Sequence, residues 1–131
     1  MTAKYVRDKM RAWADAITEA KFYDTINQDQ NPSDAVWFTM EFFALEHTGK
    51  TFCGLDYTET GSIDLVFCAR PGAGDGEILT ALEPAVTAFV ANHDPAGKLQ
   101  IESFEPVEEY SSGTADSFYR LVVGINYSFA A

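Results

Sequence analysis

A glycine-rich turn, Pro71–Glu77, has the residue types that come closest to those of a phosphate-binding site. A phosphate-binding loop needs Lys followed by Ser or Thr at the start of the helix, because these residues meet the phosphates and the metal. Here Asp75 and Glu77 occupy that region and would repel a phosphate. The glycines also alternate as GxGxG, not as the GxGxxG of dinucleotide-binding turns. The pattern therefore predicts a structural turn with acidic residues at a helix N-terminus.

The histidines and cysteines form no recognisable catalytic or metal-binding pattern. His47 and His93 fall in different turns, without metal-ligand spacing to Cys53 or Cys68. A nucleophile needs a base that a third group holds in place, and no such trio stands out. In the absence of a secretory signal, we expect free thiols and not a disulfide. Cys68 alternates with Val66, which indicates a small buried or half-buried side chain.

The remaining candidate for chemistry is a group of carboxylates near the end of a predicted strand. Glu105, Glu108 and Glu109 flank Pro106. They are typical of a solvated face, with a weak divalent-ion site as the alternative. We therefore expect a protein that is not an enzyme and that uses no metal and no other cofactor.

Composition and charge narrow the class of protein further. The 131 residues and 14.5 kDa predict a single domain, residues 1–131, with enough apolar residues for a core. The net charge of −11 disfavours nucleic-acid binding, which depends largely on cations that displace counterions. Neither an apolar run of membrane-spanning length nor a signal-peptide pattern is present, so we expect a soluble protein made in the cytoplasm.

The first half of the chain reads as a helix followed by strands. Residues Ala3–Ala20 have a helical apolar stripe formed by Val6, Met10, Trp13 and Ile17. A short edge strand at Phe22–Ile26 and a polar turn follow. The strand Val36–Glu46 is apolar on both faces, which predicts a cover on both sides. Two helices would cover only one of them, so the second cover could be another protein.

The second half of the chain reads as a strand, a helix and two strands. A strand at Thr60–Arg70 precedes a helix from about Asp75 to Asn92. Pro84 inside that helix predicts a kink, or a helix that effectively begins near Thr80. Two closing strands follow at Lys98–Tyr110 and Ser117–Phe129, and the helix residues expected to face inward are Ile78, Leu79, Leu82, Val86, Phe89 and Val90. The order predicts an α+β fold, a mostly antiparallel sheet of four to five strands with two helices packed on it.

Laid end to end, these elements resemble the phage tail terminator-like family, small proteins that cap the tail tube of long-tailed phages. The resemblance covers roughly residues 5–129 and rests on the order of the elements and on local sequence patterns. Departures are Pro84 and the acidic stretch Asp56–Glu59, where such proteins commonly carry basic residues. The matching patterns are the Asn31-Pro32 turn before Trp37, the strand led by Gly61, the turn with Pro71-Gly72 and Gly74, the helix ending in Phe89, and the last strand with Phe118-Tyr119 and Tyr127.

The resemblance implies a structural virion protein located in the tail or neck. Such a protein forms a homohexameric ring that ends tube polymerisation and forms the joint to the head-side connector. Its partners would be copies of itself, the major tail tube protein and the head–tail connector proteins, and DNA would pass through without specific binding. The doubly apolar strand agrees with an assembly, because rings use contacts in which one patch meets a different patch on the neighbour.

Two sets of residues are candidates for the assembled surfaces. Edge strands and the polar connections Thr48–Glu59 and Ser111–Asp116 are expected at subunit or tube contacts, because long connections are often functional. An acidic channel would let DNA pass without holding it. The predicted contact residues are Trp37, Phe42, Phe43, Phe52, Tyr57 and Tyr110, and the predicted channel-lining acids are Asp56, Glu59, Asp75, Glu77, Glu108 and Glu109.

Two alternatives stay open at this point. One is another neck, tail-completion or connector protein, which would share the fold and the absence of catalysis. The other, from a different class, is a small ligand-binding or enzymatic α+β domain with a pocket between the Pro71–Gly76 turn and the following helix. The second alternative requires convergent polar groups with shifted pKa values in that pocket.

Overall fold

The computed structural model describes residues 4–23, 36–48, 57–69, 74–111 and 119–130. These residues form two helices and five strands. The α+β fold expected from the sequence is confirmed. In chain order the elements are α1 (Lys4–Asp15), β1 (Lys21–Phe22), β2 (Val36–Thr48), β3 (Thr58–Ala69), α2 (Gly74–Val90), β4 (Leu99–Ser111) and β5 (Tyr119–Ala130).

The apolar stripe of the first helix packs against the sheet as its spacing predicts. Val6 and Met10 are fully buried, and Trp13 meets the Phe89 ring edge-on, with ring centroids 6.2 Å apart. The helix ends at Asp15, five residues before the predicted end at Ala20. Just beyond this end, the Ile17 N–H bonds the Ala14 carbonyl, three residues back, and β1 begins at Lys21.

The sheet has the strand order β1-β2-β3-β5-β4. β1 pairs with β2 in parallel, and the other three neighbouring pairs are antiparallel. The edge strand predicted at Phe22–Ile26 is present at its start, where Lys21 and Phe22 pair with β2, and its last three residues lie outside the described residues. Bulges interrupt the β2–β3 register once and the β4–β5 register twice.

Both helices contribute to one core on a single face of the sheet. Phe38 on β2 lies opposite Phe67 on β3, and their rings stack with centroids 5.0 Å apart. Ile63 lies opposite Ile125, and both are fully buried. Residues directly opposite each other point to the same face, so this face is the one that the helices cover. We refer to it as the helix face and to the other as the open face.

The start of β2 is buried on both faces within the chain itself. Trp37 is 8% exposed and Thr39 is 3% exposed, although they alternate with the core residue Phe38. The Tyr23 ring packs edge-on against Trp37, with centroids 5.9 Å apart. The expectation that another protein covers this side is therefore wrong for the first residues of β2. The expectation of a cover by another protein remains open only farther along β2, where Phe43 is 44% exposed.

The second helix runs through Pro84 without a break. It begins at Gly74, so the expectation that it effectively starts near Thr80 is wrong. Pro84 is exposed, which keeps its ring off the packed side. Ala85, Val86 and Phe89 are buried. Leu79, predicted to face inward, is 43% exposed.

Candidate assembly surface

The predicted contact aromatics lie at different depths. Trp37 and Tyr57 are buried, with 8% and 5% exposure, so neither presents a side chain to a partner. Their prediction as contact residues is corrected, because the chain itself covers both rings: Tyr23 packs against Trp37, and Phe129 packs against Tyr57. Phe42 is half-buried and Phe43 is 44% exposed, and both lie beyond the part of β2 that β1 pairs with. These two residues remain candidates for a contact.

Two arginines of α1 cover the Phe42 ring. The Arg7 guanidinium carbon lies 4.9 Å from the ring centroid, and that of Arg11 lies 5.6 Å from it. The two arginines are four residues apart, so they project from the same side of the helix. A guanidinium over an aromatic face is favourable by about 0.5–1 kcal/mol at exposed sites. This places two positive charges on the helix face, above the β2 side of the sheet.

A row of carboxylates crosses the open face of the sheet. Glu41 lies opposite Asp64, Asp64 opposite Gly124, and Gly124 opposite Glu105. Glu41 and Glu105 are exposed, whereas Asp64 is half-buried. Burial and then the charge of Glu41 raise the pKa of Asp64. Sequence reasoning missed this row as a unit, since only the strand register brings its members together.

Glu59, predicted to line a channel, is instead one of the most buried side chains. It is 1% exposed and accepts hydrogen bonds from the Tyr57 hydroxyl at 2.7 Å and the Tyr127 hydroxyl at 2.5 Å. Gly61 lies opposite Tyr127 and leaves room for its ring. A carboxylate in this position reaches no channel, so the prediction for Glu59 is wrong. Thr58 and Glu59 belong to β3 and not to the preceding connection.

The same cluster changes the acidity of a tyrosine. Burial, the hydrogen bond to Glu59 and the charge of Glu59 raise the pKa of Tyr57 to about 12. The physical reason is that ionising Tyr57 would place a second negative charge in the interior, beside the first. The cluster is a structural anchor at the beginning of β3, because Glu59 has no solvent access through which to meet a ligand.

A second carboxylate, Asp94, joins α1 to the turn between α2 and β4. Its two oxygens accept the Tyr5 hydroxyl at 2.9 and 2.8 Å, and they also accept the backbone N–H groups of Ala96, Lys98 and Leu99 at 3.0–3.1 Å. The Lys9 ammonium lies 3.7 Å away. Burial acts to raise the pKa of Asp94, but the hydrogen bonds lower it overall. The Asp-Pro-Ala-Gly sequence was a usable turn signal, since Asp side chains commonly bond the backbone two residues on.

Burial also sets the acidity of Cys68, the cysteine that the structure describes. Cys68 is a free thiol with 2% exposure, as its alternation with Val66 predicted. Burial raises its pKa to about 11, and the nearby charge of Arg120 opposes this shift. The thiol is therefore a core group with little thiolate at neutral pH.

Several predicted residues lie outside what the structure describes. Phe52, Asp56 and Cys53 fall between the described ranges 36–48 and 57–69. The side chains of Asp75, Glu77, Glu108, Glu109 and Tyr110 are also outside it, although their positions in α2 and β4 are given. The predicted pocket beside the Pro71–Gly76 turn also lies outside what the structure describes.

Clefts and metal-ligand groups within the described residues offer little chemistry. One cleft of about 400 Å³ lies by the α2–β4 turn, where Asp94 is already occupied by its hydrogen bonds. Another of about 510 Å³ lies between the end of α1 and the start of β2. No three His, Cys, Asp or Glu side chains of the described part are grouped to hold a metal. Neither described helix combines the length and the apolar character needed to span a bilayer.

Comparison with known proteins identifies the fold but no family. No family model and no curated protein matches the chain. The chain is similar to a solved structure of a protein without a descriptive name, at 14% sequence identity and a TM-score of 0.54. That match covers 100% of this chain and 97% of the other. At this level of identity, the likeness concerns the α+β fold alone.

Proposed function

We propose that the protein is a structural subunit of a phage tail that assembles as a ring at the end of the tail tube. The support is the element order, helix, strands, helix and two strands, which the tail terminator-like resemblance implies and which these residues adopt. As a ring, the protein would end tube polymerisation and join the head-side connector. Its role would be assembly, without catalysis or a cofactor.

The carboxylate row on the open face is the observation that favours a channel protein most. Glu41, Asp64 and Glu105 lie on three different strands of one sheet face. A ring with this face toward its bore would carry a band of negative charge around the channel. Such a band repels the phosphates of passing DNA at short range. These residues replace Glu59 in the proposed channel set.

An assembly experiment tests the proposal. The purified protein is mixed with major tail tube subunits, and tube length is measured by electron microscopy. We expect short, capped tubes with a ring at one end, and longer tubes when the protein is omitted. Tubes of unchanged length without bound protein would contradict the proposal. Binding to a head-side connector without binding to tubes would favour the neck or connector alternative.

The ligand-binding alternative has a separate test. Thermal shift against nucleotides, metal ions and metabolites would reveal a compound class that stabilises the fold by mass action. We expect no class to raise the melting temperature, because the buried carboxylate of the cleft at the α2–β4 turn, Asp94, already accepts hydrogen bonds from the chain itself. A stabilisation of several degrees by one class would favour the binding-domain alternative.

A further inference from the structure

We draw no further inference here: the strongest candidate, the apolar surface patch on the helix face of β4 where Phe104 is 51% exposed, carries nothing because no contact among the described residues shows what covers it.

Discussion

Two buried carboxylates stabilise this fold in different ways. Asp94 accepts three backbone N–H groups and the Tyr5 hydroxyl, whereas Glu59 accepts the hydroxyls of Tyr57 and Tyr127. Fixed backbone donors favour the ionised acid, and the pKa of Asp94 is accordingly lowered. At the Glu59 anchor the shifted pKa belongs to a hydrogen-bonded tyrosine: that of Tyr57 rises to about 12.

The two anchors are therefore vulnerable at opposite ends of the pH range. The Asp94 anchor ties α1 to the α2–β4 turn and weakens when acid protonates the carboxylate. The Glu59 anchor ties the beginning of β3 to β5 and weakens when alkali ionises a tyrosine. The two ends of the pH range therefore probe two different parts of the molecule, and variants at each anchor can be assigned to one end.

Loss of the Glu59 carboxylate should have the largest effect. Glu59→Ala leaves two buried tyrosine hydroxyls without this acceptor and opens a cavity. We expect a loss of about 3–5 kcal/mol in the free energy of unfolding, measured by urea denaturation. Glu59→Gln keeps one acceptor oxygen and should lose only about 1–2 kcal/mol. Equal losses for the two variants would show that packing, and not the hydrogen bonds, is what matters here.

The second-largest loss of stability is expected from crowding the Glu59 anchor. A methyl group added at Gly61 would lie 2.5 Å from the Phe43 carbonyl oxygen and 2.7 Å from the Tyr127 hydroxyl oxygen. Because a backbone carbonyl in a paired strand has little freedom to shift, Gly61→Ala should cost about 2–3 kcal/mol in urea denaturation. The neighbouring Ser62→Ala is the control, with an expected change below about 0.5 kcal/mol. A Gly61→Ala variant as stable as wild type would mean that the Tyr127 ring is not fixed as described.

The Asp94 anchor should respond on the acid side. Its folded pKa lies below the unfolded value of about 3.9, so its stabilisation is complete above that pH and is lost as pH falls through the folded pKa. Asp94→Asn should be less stable than wild type at pH 7, and the gap should shrink below about pH 4. Thermal unfolding of both proteins across this range measures it. A stability difference that stays constant with pH would show that the charge of Asp94 does not cause it.

The smallest effect is expected from one tyrosine of the Glu59 anchor. Tyr57→Phe removes one hydrogen bond to a carboxylate and should cost about 1–2 kcal/mol at neutral pH. Because the folded pKa of Tyr57 is about 12 and the unfolded value is about 10, its stabilising effect is present below pH 10 and is lost between these values. The variant should therefore lose less stability than wild type over that range. An identical alkaline loss in both would assign the effect to other groups, such as Tyr5, whose pKa is also raised.

Much of the fold could be predicted from periodicity. The stripe of α1, the start of β2 at Val36 and the order of all elements follow from apolar spacing and turn residues. Errors concern places where packing overrides local pattern. Trp37 and Tyr57, predicted as contact residues, are buried, and Leu79 fits the helical stripe but is exposed. Sequence spacing does not reveal which end of an element the rest of the chain covers.

The anchors depended on information that only the register supplies. Glu59 looked like one acid among many in a polar stretch, yet β3 carries it into the core, where two tyrosine hydroxyls meet it. Gly61 and Tyr127, two residues on which the family resemblance rests, lie directly opposite each other. The carboxylate row of Glu41, Asp64 and Glu105 likewise exists only because three registers align.

A protein that forms the proposed ring at a tube end has a fixed subunit count, which is therefore the quantity to measure. Native mass spectrometry of the wild-type protein, alone and with tail tube subunits, measures that count. We predict a hexamer that appears alone or on addition of tube subunits. A protein that stays strictly monomeric under both conditions, at concentrations where tubes form, would contradict the proposed ring.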